Sequence, residues 1–365
     1  MPSRIPVAQP DIGDEELQKV VAAIESGWVS SKGPFIQQFE DEFSSYIGMK
    51  NGIATSNGTV ALHLALEALG IGRGDKVLVP TLTFIAVANA VSYTGARPVF
   101  VDSHPEYWCI DPSKIEENID NKTKAIIAVH HYGHPCDMER ISSIAKDYGL
   151  HLVEDCAEAH GAEYKGRRVG CFGAISCFSF YGNKIITTGE GGMCLTNDEE
   201  LSYKMKVLRD HGMSPKKKYW HDIVGFNYRM TNLQAALGVA QLKKIDNLIS
   251  KKREIADIYK ELLQDVPSVT PAPEMPWAKS VYWLYSILVK KAFRNTLIEY
   301  LERHNIETRP FFYPLHILPP YKSALTFPIA EELSARGLNL PSGPILSPNQ
   351  IVRVVDTIIE TTKNQ

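Results

Sequence analysis

The sequence has little of what marks an exported or membrane-spanning protein. Its opening stretch, MPSRIPVAQPDIGDEE, has no apolar segment and carries acidic residues early, which is not the pattern of a signal peptide. No apolar run approaches the ~20 residues needed to cross a bilayer. The six cysteines include no CxxC pair, which favours buried reduced thiols over a disulfide framework. We therefore expect a cytoplasmic protein.

A strong charge of either sign is also missing. The formal net charge of -3 gives no electrostatic reason to expect a nucleic acid or an anionic membrane surface as a partner. The hydrophobic fraction, 44%, is ordinary for a globular protein. Because 365 residues exceed what one hydrophobic core usually serves, two domains are expected.

Short apolar runs alternate with helical patterns through the first two-thirds of the chain. Continuous apolar runs predict strands that are covered on both faces. The predicted strands are 76–79, 98–101, 125–129 and 150–153, and the predicted helices are 59–69, 84–93, 111–119 and 138–148. This alternation predicts an α/β domain around a mainly parallel sheet, with its ligand beyond the carboxyl ends of the strands.

The pattern changes after a long amphipathic helix that begins near residue 245. Beyond the Pro-rich stretch 267–276, one strand and two helices are expected, at 281–289, 296–304 and 349–362. These elements predict a smaller α+β domain. We therefore divide the chain into a large domain, 1–245, and a small C-terminal domain, 246–365.

A lysine follows the strand that is expected to end at Phe180. Lys184 precedes a stretch with three glycines, 189–192, which would let the backbone pass close to a ligand. A lysine that forms a Schiff base must be deprotonated part of the time, so it needs a partly desolvated or electropositive setting. Taken alone, such a lysine is more often a surface residue.

Two acids stand at the carboxyl end of a predicted strand, Glu154 and Asp155. Pyridoxal phosphate acts as an electron sink only while its ring nitrogen stays protonated, which requires an adjacent carboxylate. Asp155 is placed for that role. The simpler alternative is that both acids cap the next helix.

A third segment, 54–59, opens a predicted helix with small residues. Gly58 and Thr59 would present free backbone N–H groups and the positive end of the helix dipole, which together suit a phosphate. An ordinary Ser/Thr N-cap is the alternative. The presence of the lysine, the carboxylate of Asp155 and this phosphate site in one chain predicts a pyridoxal-phosphate enzyme.

Together these segments resemble the sugar-nucleotide aminotransferases, the DegT/StrS group of fold-type I pyridoxal-phosphate enzymes. The resemblance runs from Ile5 to nearly the C-terminus. It is carried by GWVSS at 27–31, SNGT at 56–59, PTLTF at 80–84, ED at 154–155, FSF at 178–180 with Lys184, and NYRMTN at 227–232. It implies an α/β fold of that type, with a large domain built on a mainly parallel central sheet and a smaller C-terminal α+β domain.

The resemblance also implies a role for each matching residue. Lys184 would be the catalytic residue and would hold the cofactor, as pyridoxal or pyridoxamine phosphate, while Asp155 would pair with its ring nitrogen. The other cofactor contacts would be Glu158 at the ring hydroxyl, Phe84 on the ring face, Gly58, Thr59 and Ser179 at the phosphate, and Asn227 at the phosphate of the neighbouring subunit's cofactor. The sugar nucleotide would contact Trp28, Ser30, Tyr313 and His316. Asn227 thus implies a homodimer with shared active sites, or a tetramer of such dimers.

Four further segments are most similar to members that aminate the C4 ketone of GDP-4-keto-6-deoxymannose with L-glutamate as donor. They are 107–112, 134–138, 251–259 and 307–310. Ile185 departs from that pattern, in which threonine is expected. A TDP- or UDP-linked keto-sugar, and amination at C3, therefore stay open.

Two rival functions share the fold. A pyridoxal-phosphate dehydratase would have histidine in place of the lysine, so Lys184 argues against it. A non-catalytic nucleotide-sugar sensor has no need of an electron sink, so the intact set of Lys184, Asp155 and Ser179 argues against that function.

Three other patterns imitate different sites. The glycines of 70–74 have dinucleotide-motif spacing, but they follow a helix and precede a strand, which indicates a helix C-cap and turn.

The stretch 130–137 contains enough histidine, cysteine and aspartate for zinc, but Gly133 and Pro135 break any helical face. We expect no metal site. The basic run 216–218 is a weak candidate for binding a diphosphate.

Overall fold

A computed structural model of the chain describes residues 3–363. Within them the chain forms eleven α-helices and fourteen β-strands. The helices are α1 (Asp14–Glu25), α2 (Pro34–Ile47), α3 (Gly58–Ala68), α4 (Ala86–Tyr93), α5 (Met138–Asp147), α6 (Glu199–Arg209), α7 (Asn232–Lys243), α8 (Ile245–Leu263), α9 (Lys291–Arg303), α10 (Pro328–Arg336) and α11 (Pro348–Lys363). The strands are β1 (Asn51–Thr55), β2 (Lys76–Pro80), β3 (Arg97–Val101), β4 (Thr123–Val129), β5 (His151–Asp155), β6 (Glu163–Tyr164), β7 (Arg167–Arg168), β8 (Ile175–Ser179), β9 (Gly192–Thr196), β10 (Val269–Pro271), β11 (Ala278–Lys279), β12 (Tyr285–Val289), β13 (Arg309–Pro310) and β14 (Gly337–Leu340).

Seven strands form the central sheet, in the order β1-β9-β8-β5-β4-β2-β3. Strand β9 runs antiparallel to both of its neighbours, and the remaining pairs are parallel. The predicted mainly parallel α/β sheet is therefore confirmed. Strands β5 and β8 are parallel neighbours, so their carboxyl ends, at Asp155 and Ser179, lie at the same edge of the sheet.

The predicted helix at 111–119 is wrong. That stretch forms two short 3-10 turns, Pro112–Lys114 and Glu116–Asn118. Asp111 caps the first turn by accepting a hydrogen bond from the N–H of Ser113. Ile115 is buried, whereas its neighbours are polar. The backbone is already extended at Ile119, with φ −86° and ψ 130°, so the helical geometry ends after these two turns.

The C-terminal part contains a four-stranded antiparallel sheet, in the order β10-β12-β14-β13, rather than the single strand predicted at 281–289. Strand β12, which corresponds to the predicted strand, begins only at Tyr285. The preceding residues are used elsewhere: Val281 and Trp283 donate their N–H groups to the carbonyls of Gly133 and Tyr132. That contact ties the C-terminal part to the edge of the central sheet.

Two buried apolar clusters form the core of the described residues. The larger surrounds the central sheet and includes Trp283 and Phe311, and the smaller lies between α8, α9, α11 and the four-stranded sheet and includes Ile5. The division into 1–245 and 246–365 stays a prediction. Between residues 3 and 363, no helix combines the length and the apolar character needed to cross a membrane.

Candidate active site

Lys184 lies just past the carboxyl end of β8. Its main-chain N–H donates to the carbonyl of Tyr181 at 2.9 Å, which forms a tight turn after the strand. The side chain turns inward and is only 11% exposed. Its Nζ lies 3.9 Å from Oε1 of Glu158 and 3.8 Å from the centre of the Trp283 ring.

The surroundings of Lys184 shift its amine toward the neutral form. Burial lowers the pKa of Lys184, and the negative charges of Glu158 and Asp155 oppose that shift without cancelling it. The positive charge of Arg309 adds to the lowering. A neutral amine is the form that attacks a carbonyl and accepts a proton, so Lys184 has the chemistry required of a nucleophile or a base.

Asp155 and Glu154 face opposite sides of β5, because side chains alternate along a strand. Burial raises the pKa of Asp155, although the N–H of Ala157, at 3.0 Å, and the Lys184 charge favour the carboxylate. Glu154 instead accepts hydrogen bonds at 2.7 Å from the N–H groups of Gly170, Phe172 and Gly173. The acids therefore do not cap a helix together; Glu154 holds a loop and Asp155 faces the lysine's side.

Glu158 completes the buried charged group. Its Oε2 accepts a hydrogen bond from the N–H of Tyr132 at 2.8 Å and lies 3.9 Å from Nδ1 of His131. Burial raises the pKa of Glu158 to about 7, against the opposing effect of Lys184. Burial also lowers the pKa of His131 to about 3, so its ring is neutral at physiological pH. Burial thus moves the pKa values of Lys184 and Glu158 toward each other.

The start of α3 forms a cradle against the end of β8. Asn57 caps the helix by accepting a hydrogen bond from the N–H of Val60 at 3.0 Å. The N–H groups of Gly58 and Thr59 lie in the first turn, where a helix has no carbonyl of its own to accept them. A Cβ atom on Gly58 would lie 2.7 Å from Cβ of Ser179, so only glycine allows this close approach. The cradle therefore combines helix N–H groups with the Ser179 hydroxyl, which suits a phosphate.

The other predicted residues make no contact with Lys184 in the part of the chain that the structure describes. The side chains of Phe84, Trp28 and Tyr313 are exposed, and the Phe84 ring centre lies 5.6 Å from that of Phe312. Ser30 is also exposed, and its carbonyl accepts a hydrogen bond from the N–H of Asn232. Their proposed ligand contacts stay predictions.

Asn227 and His316 have protein partners. Asn227 is exposed, and its Oδ1 accepts hydrogen bonds from Arg229 at 2.8 and 3.2 Å. His316 is buried, with Nδ1 at 2.8 Å from the Thr81 hydroxyl and Nε2 at 3.1 Å from Glu331. Its predicted contact with the substrate stays a prediction.

Three residues of this cluster were not predicted as site residues from the sequence: Trp283, His131 and Arg309. Trp283 and Arg309 come from the C-terminal part, more than a hundred residues after Asp155 in the chain. No local spacing relates them to the lysine, and His131 was considered only as a metal ligand. Long-range packing, which the sequence pattern does not encode, brings them together.

His130, Glu154 and Cys156 lie close enough together to hold a metal ion. His130 and Glu154 already use their side-chain atoms in hydrogen bonds within the protein. Nδ1 of His130 accepts the N–H of Cys136 at 3.0 Å, which leaves its Nε2 to donate to Glu154 at 3.3 Å. The Glu154 carboxylate therefore accepts hydrogen bonds from His130 Nε2 and from the three loop N–H groups. The group is therefore built as a hydrogen-bonded support for β5.

Comparison with known proteins gives one consistent result. The profile of the DegT/DnrJ/EryC1/StrS aminotransferase family matches residues 10–359. A GDP-perosamine synthase of Escherichia coli O157:H7 is 51% identical, covering 98% of this chain and 98% of its own. A GDP-perosamine synthase of Vibrio cholerae is 44% identical, covering 97% and 98%. Among solved structures, the PMP form of the putative sugar aminotransferase Spr1654 from Streptococcus pneumoniae matches with a TM-score of 0.94 at 28% identity, covering 99% of this chain and 98% of that one.

Proposed function

This chain belongs to the DegT/DnrJ/EryC1/StrS aminotransferase family, and on that premise we propose a specific substrate for it. The enzyme transfers the amino group of L-glutamate to the C4 ketone of GDP-4-keto-6-deoxymannose. The products are GDP-perosamine and 2-oxoglutarate. The relatives named as GDP-perosamine synthases, at up to 51% identity over nearly the whole chain, support this choice of sugar nucleotide.

The residues present fit pyridoxal phosphate, the cofactor of this family. The fit rests on the buried amine of Lys184, the carboxylate of Asp155 at the same sheet edge, and the cradle that a Cβ on Gly58 would close. Lys184 would hold the cofactor, Asp155 its ring nitrogen, Glu158 its ring hydroxyl, and Gly58, Thr59 and Ser179 its phosphate. Phe84 would cover the ring face. When bound, the cofactor supplies a sink for the electron pair that is released as a proton leaves carbon.

Lys184 would also move the proton. Because burial lowers its pKa, the amine can accept a proton from the carbon of the amino donor and return one to the sugar carbon. Glu158, 3.9 Å away, stabilises the ammonium form when ionised. The single observation that carries the function is this buried lysine, whose charge interacts with those of Glu158 and Asp155 at the edge where β5 and β8 end.

The sugar nucleotide would contact Trp28, Ser30 and Tyr313, whose side chains are exposed. An aromatic side chain can cover a base or sugar face, and hydroxyl groups can bond to sugar hydroxyls or phosphate oxygens. His316 would act on this region through Thr81 and Glu331.

We also propose that the enzyme is a homodimer in which Asn227 reaches the partner's cofactor phosphate. Exposed apolar side chains support an interface. Leu17, Val21 and Ile24 recur at helical spacing on one face of α1, and Val224, near Asn227, is 90% exposed. Burying such side chains between two copies would stabilise the dimer.

The test is to incubate the purified enzyme with L-glutamate and GDP-, TDP- and UDP-linked keto-sugars, and to identify products by mass and by NMR of the aminated carbon. Lys184→Ala serves as the inactive control. We expect C4 amination of the GDP-linked 4-keto-6-deoxy sugar to be preferred. Preference for a TDP- or UDP-linked sugar, or for amination at C3, would overturn the substrate assignment but not the assignment as an aminotransferase. Dehydration, or binding without turnover, would overturn both.

A further inference from the structure

Lys252, in α8, is a buried lysine whose hydrogen bonds go to main-chain carbonyls. Its side chain is enclosed, and its Nζ donates to the carbonyl of Trp283 at 3.0 Å and to that of Ser342 at 2.8 Å. Burial lowers the pKa of Lys252 to about 7, with no carboxylate contributing to the shift. An amine in such a setting is costly to bury, and packing alone would be served by an apolar side chain of the same length.

Trp283 connects Lys252 to the candidate active site. Its main chain is held from two sides, because its N–H donates to the carbonyl of Tyr132 at 3.1 Å while its carbonyl accepts from Lys252. Its indole N–H donates to the carbonyl of Asn183 at 2.7 Å. The face of the same ring lies 3.8 Å from Nζ of Lys184. The Trp283 side chain thus holds the main chain of Asn183 by a hydrogen bond and also covers the amine of Lys184.

The other partner of Lys252, Ser342, follows the end of β14. The N–H of Ser342 donates to the carbonyl of Val7, and its hydroxyl accepts from the N–H of Tyr285, both at 2.9 Å. Lys252 therefore spans two fixed main-chain segments, one that carries Trp283 and one that is anchored to the N-terminal segment and to β12. Loss of the amine would leave both carbonyls without this donor and would free the Trp283 main chain on one side.

We propose that Lys252 is a positioning residue for Lys184 and that it acts through Trp283. The bridge from Lys252 fixes the Trp283 main chain, and the indole fixes both the turn at Asn183 and the location of the Lys184 amine. The inference rests on the proposed role of Lys184 as the lysine that binds the cofactor. It differs from a purely structural role because it ties Lys252 to the reactivity of an amine that it does not touch.

The test compares Lys252→Met, which keeps the aliphatic stem and removes the N–H donors, with Lys252→Arg, which keeps donors. Trp283→Phe removes the indole N–H and keeps an aromatic face. Lys260→Met, the same change at an exposed position of α8, is the matched control. For each folded variant, apoenzyme is mixed with pyridoxal phosphate, and the absorbance of the lysine-bound cofactor gives its rate of capture. A pH titration of the holoenzyme absorbance and thermal unfolding complete the comparison.

We expect Lys252→Met and Trp283→Phe each to slow cofactor capture by at least about 10-fold, since a ~1 Å misplacement of a reacting group can cost ~100-fold. Both should shift the midpoint of the holoenzyme absorbance titration, and Lys252→Arg should restore much of the rate. The double variant should lose little more than the slower single variant, because the two residues act along one path. Lys260→Met should match the wild type.

A Lys252→Met enzyme that is less stable but captures cofactor at the wild-type rate would overturn the proposal, since that is the result of a purely structural role. If Lys252→Met does not fold, the Trp283→Phe variant provides the test. Cofactor capture at the wild-type rate with an unchanged absorbance titration would then overturn the proposal. Slower cofactor capture by a folded Trp283→Phe enzyme would support it. Failure of the proposed function can be told apart from failure of this inference, because it would appear as transamination by the Lys184→Ala enzyme. An inactive Lys184→Ala together with wild-type behaviour of Lys252→Met would overturn this inference alone.

Discussion

The amine of Lys184 lies 3.9 Å from the carboxylate of Glu158, and burial moves both groups toward neutrality. Burial lowers the pKa of Lys184 and raises the pKa of Glu158 to about 7. As the pH rises through about 7, Glu158 ionises, and its negative charge then favours the ammonium form of Lys184. The state of one group therefore sets the reactivity of the other.

Glu158→Gln should shift the reactivity of Lys184 to lower pH. Removing the carboxylate removes a charge that raises the pKa of Lys184, while the burial that lowers this pKa remains. The rate of cofactor capture by apoenzyme, measured against pH, should reach its plateau at lower pH than in the wild type. Glu106→Gln, at an exposed position, is the control. An unchanged or upward-shifted midpoint would contradict the electrostatic link between the two residues.

Lys184→Ala should abolish transamination and leave the fold intact. At neutral pH, a lysine whose folded pKa is lowered contributes nothing favourable to stability through its charge, so the free energy of unfolding should be unchanged or slightly higher. Turnover with glutamate, and thermal unfolding of the apoenzyme, measure the two effects. Lys260→Ala, on the exposed side of α8, should keep wild-type activity. Turnover near the wild-type rate in Lys184→Ala would remove the lysine from the mechanism.

Asp155→Asn should slow turnover while cofactor stays bound. The amide keeps the shape of the side chain but removes the charge proposed to hold the ring nitrogen protonated. Truncating one partner of a buried charged hydrogen bond costs ~2–5 kcal/mol, and ~1.4 kcal/mol is a factor of ten, so at least a ~10-fold loss in kcat is expected. Single-turnover kinetics and the bound-cofactor absorbance test this, with the exposed Asp356→Asn as control. Unchanged kcat would mean that another group pairs with the ring.

Glu154→Gln, one residue earlier, should instead destabilise the protein. The Glu154 carboxylate accepts three loop N–H groups and faces His130, and these bonds lower its pKa although burial acts to raise it. An amide would point its NH2 group at those donors, so a loss of ~3–5 kcal/mol in the free energy of unfolding is expected. Chemical denaturation at neutral pH measures it. In the wild type this contribution is present above the unfolded pKa of Glu154 and is lost as the pH falls through its lowered folded pKa. Wild-type stability in Glu154→Gln would contradict the supporting role.

The sequence predicted the parts of the molecule that depend on local pattern. Continuous apolar runs identified β2 to β5, because strands buried on both faces need no polar alternation. Asp155 was found because it follows one of these runs, and Lys184 because it follows the strand expected to end at Phe180. The small strands could not be found in the same way, since β13 has two residues and its partners are distant in the chain. Trp283 and Lys252 were missed as parts of the site because their roles arise from main-chain contacts between remote segments.

Asn227 supplies the test of a shared active site. Its neighbour Tyr228 accepts a hydrogen bond from the N–H of Ser56 at 2.8 Å, so Asn227 lies close in the chain to a residue beside its own subunit's phosphate cradle. Its side chain is exposed and accepts a hydrogen bond from Arg229, and the proposed contact with the partner's cofactor is to be compared with a contact inside its own subunit. Asn227→Ala should weaken cofactor retention in either case. The two arrangements predict different activities only when subunits that carry different substitutions are mixed.

Mixing Lys184→Ala with Asn227→Ala subunits at limiting cofactor separates them. If Asn227 acts across the interface, each hybrid dimer has one site that carries both changes and one that carries neither, so activity returns. Equal mixing makes half of the dimers hybrids with one intact site of two, so recovery should be roughly a quarter of the wild-type activity. Sedimentation before and after mixing verifies that dimers form and exchange. If Asn227 acts within its own subunit, every hybrid site carries one change and no recovery occurs. A fully active monomeric holoenzyme would also rule out the shared site, because whatever binds only the dimer must favour the dimer by mass action.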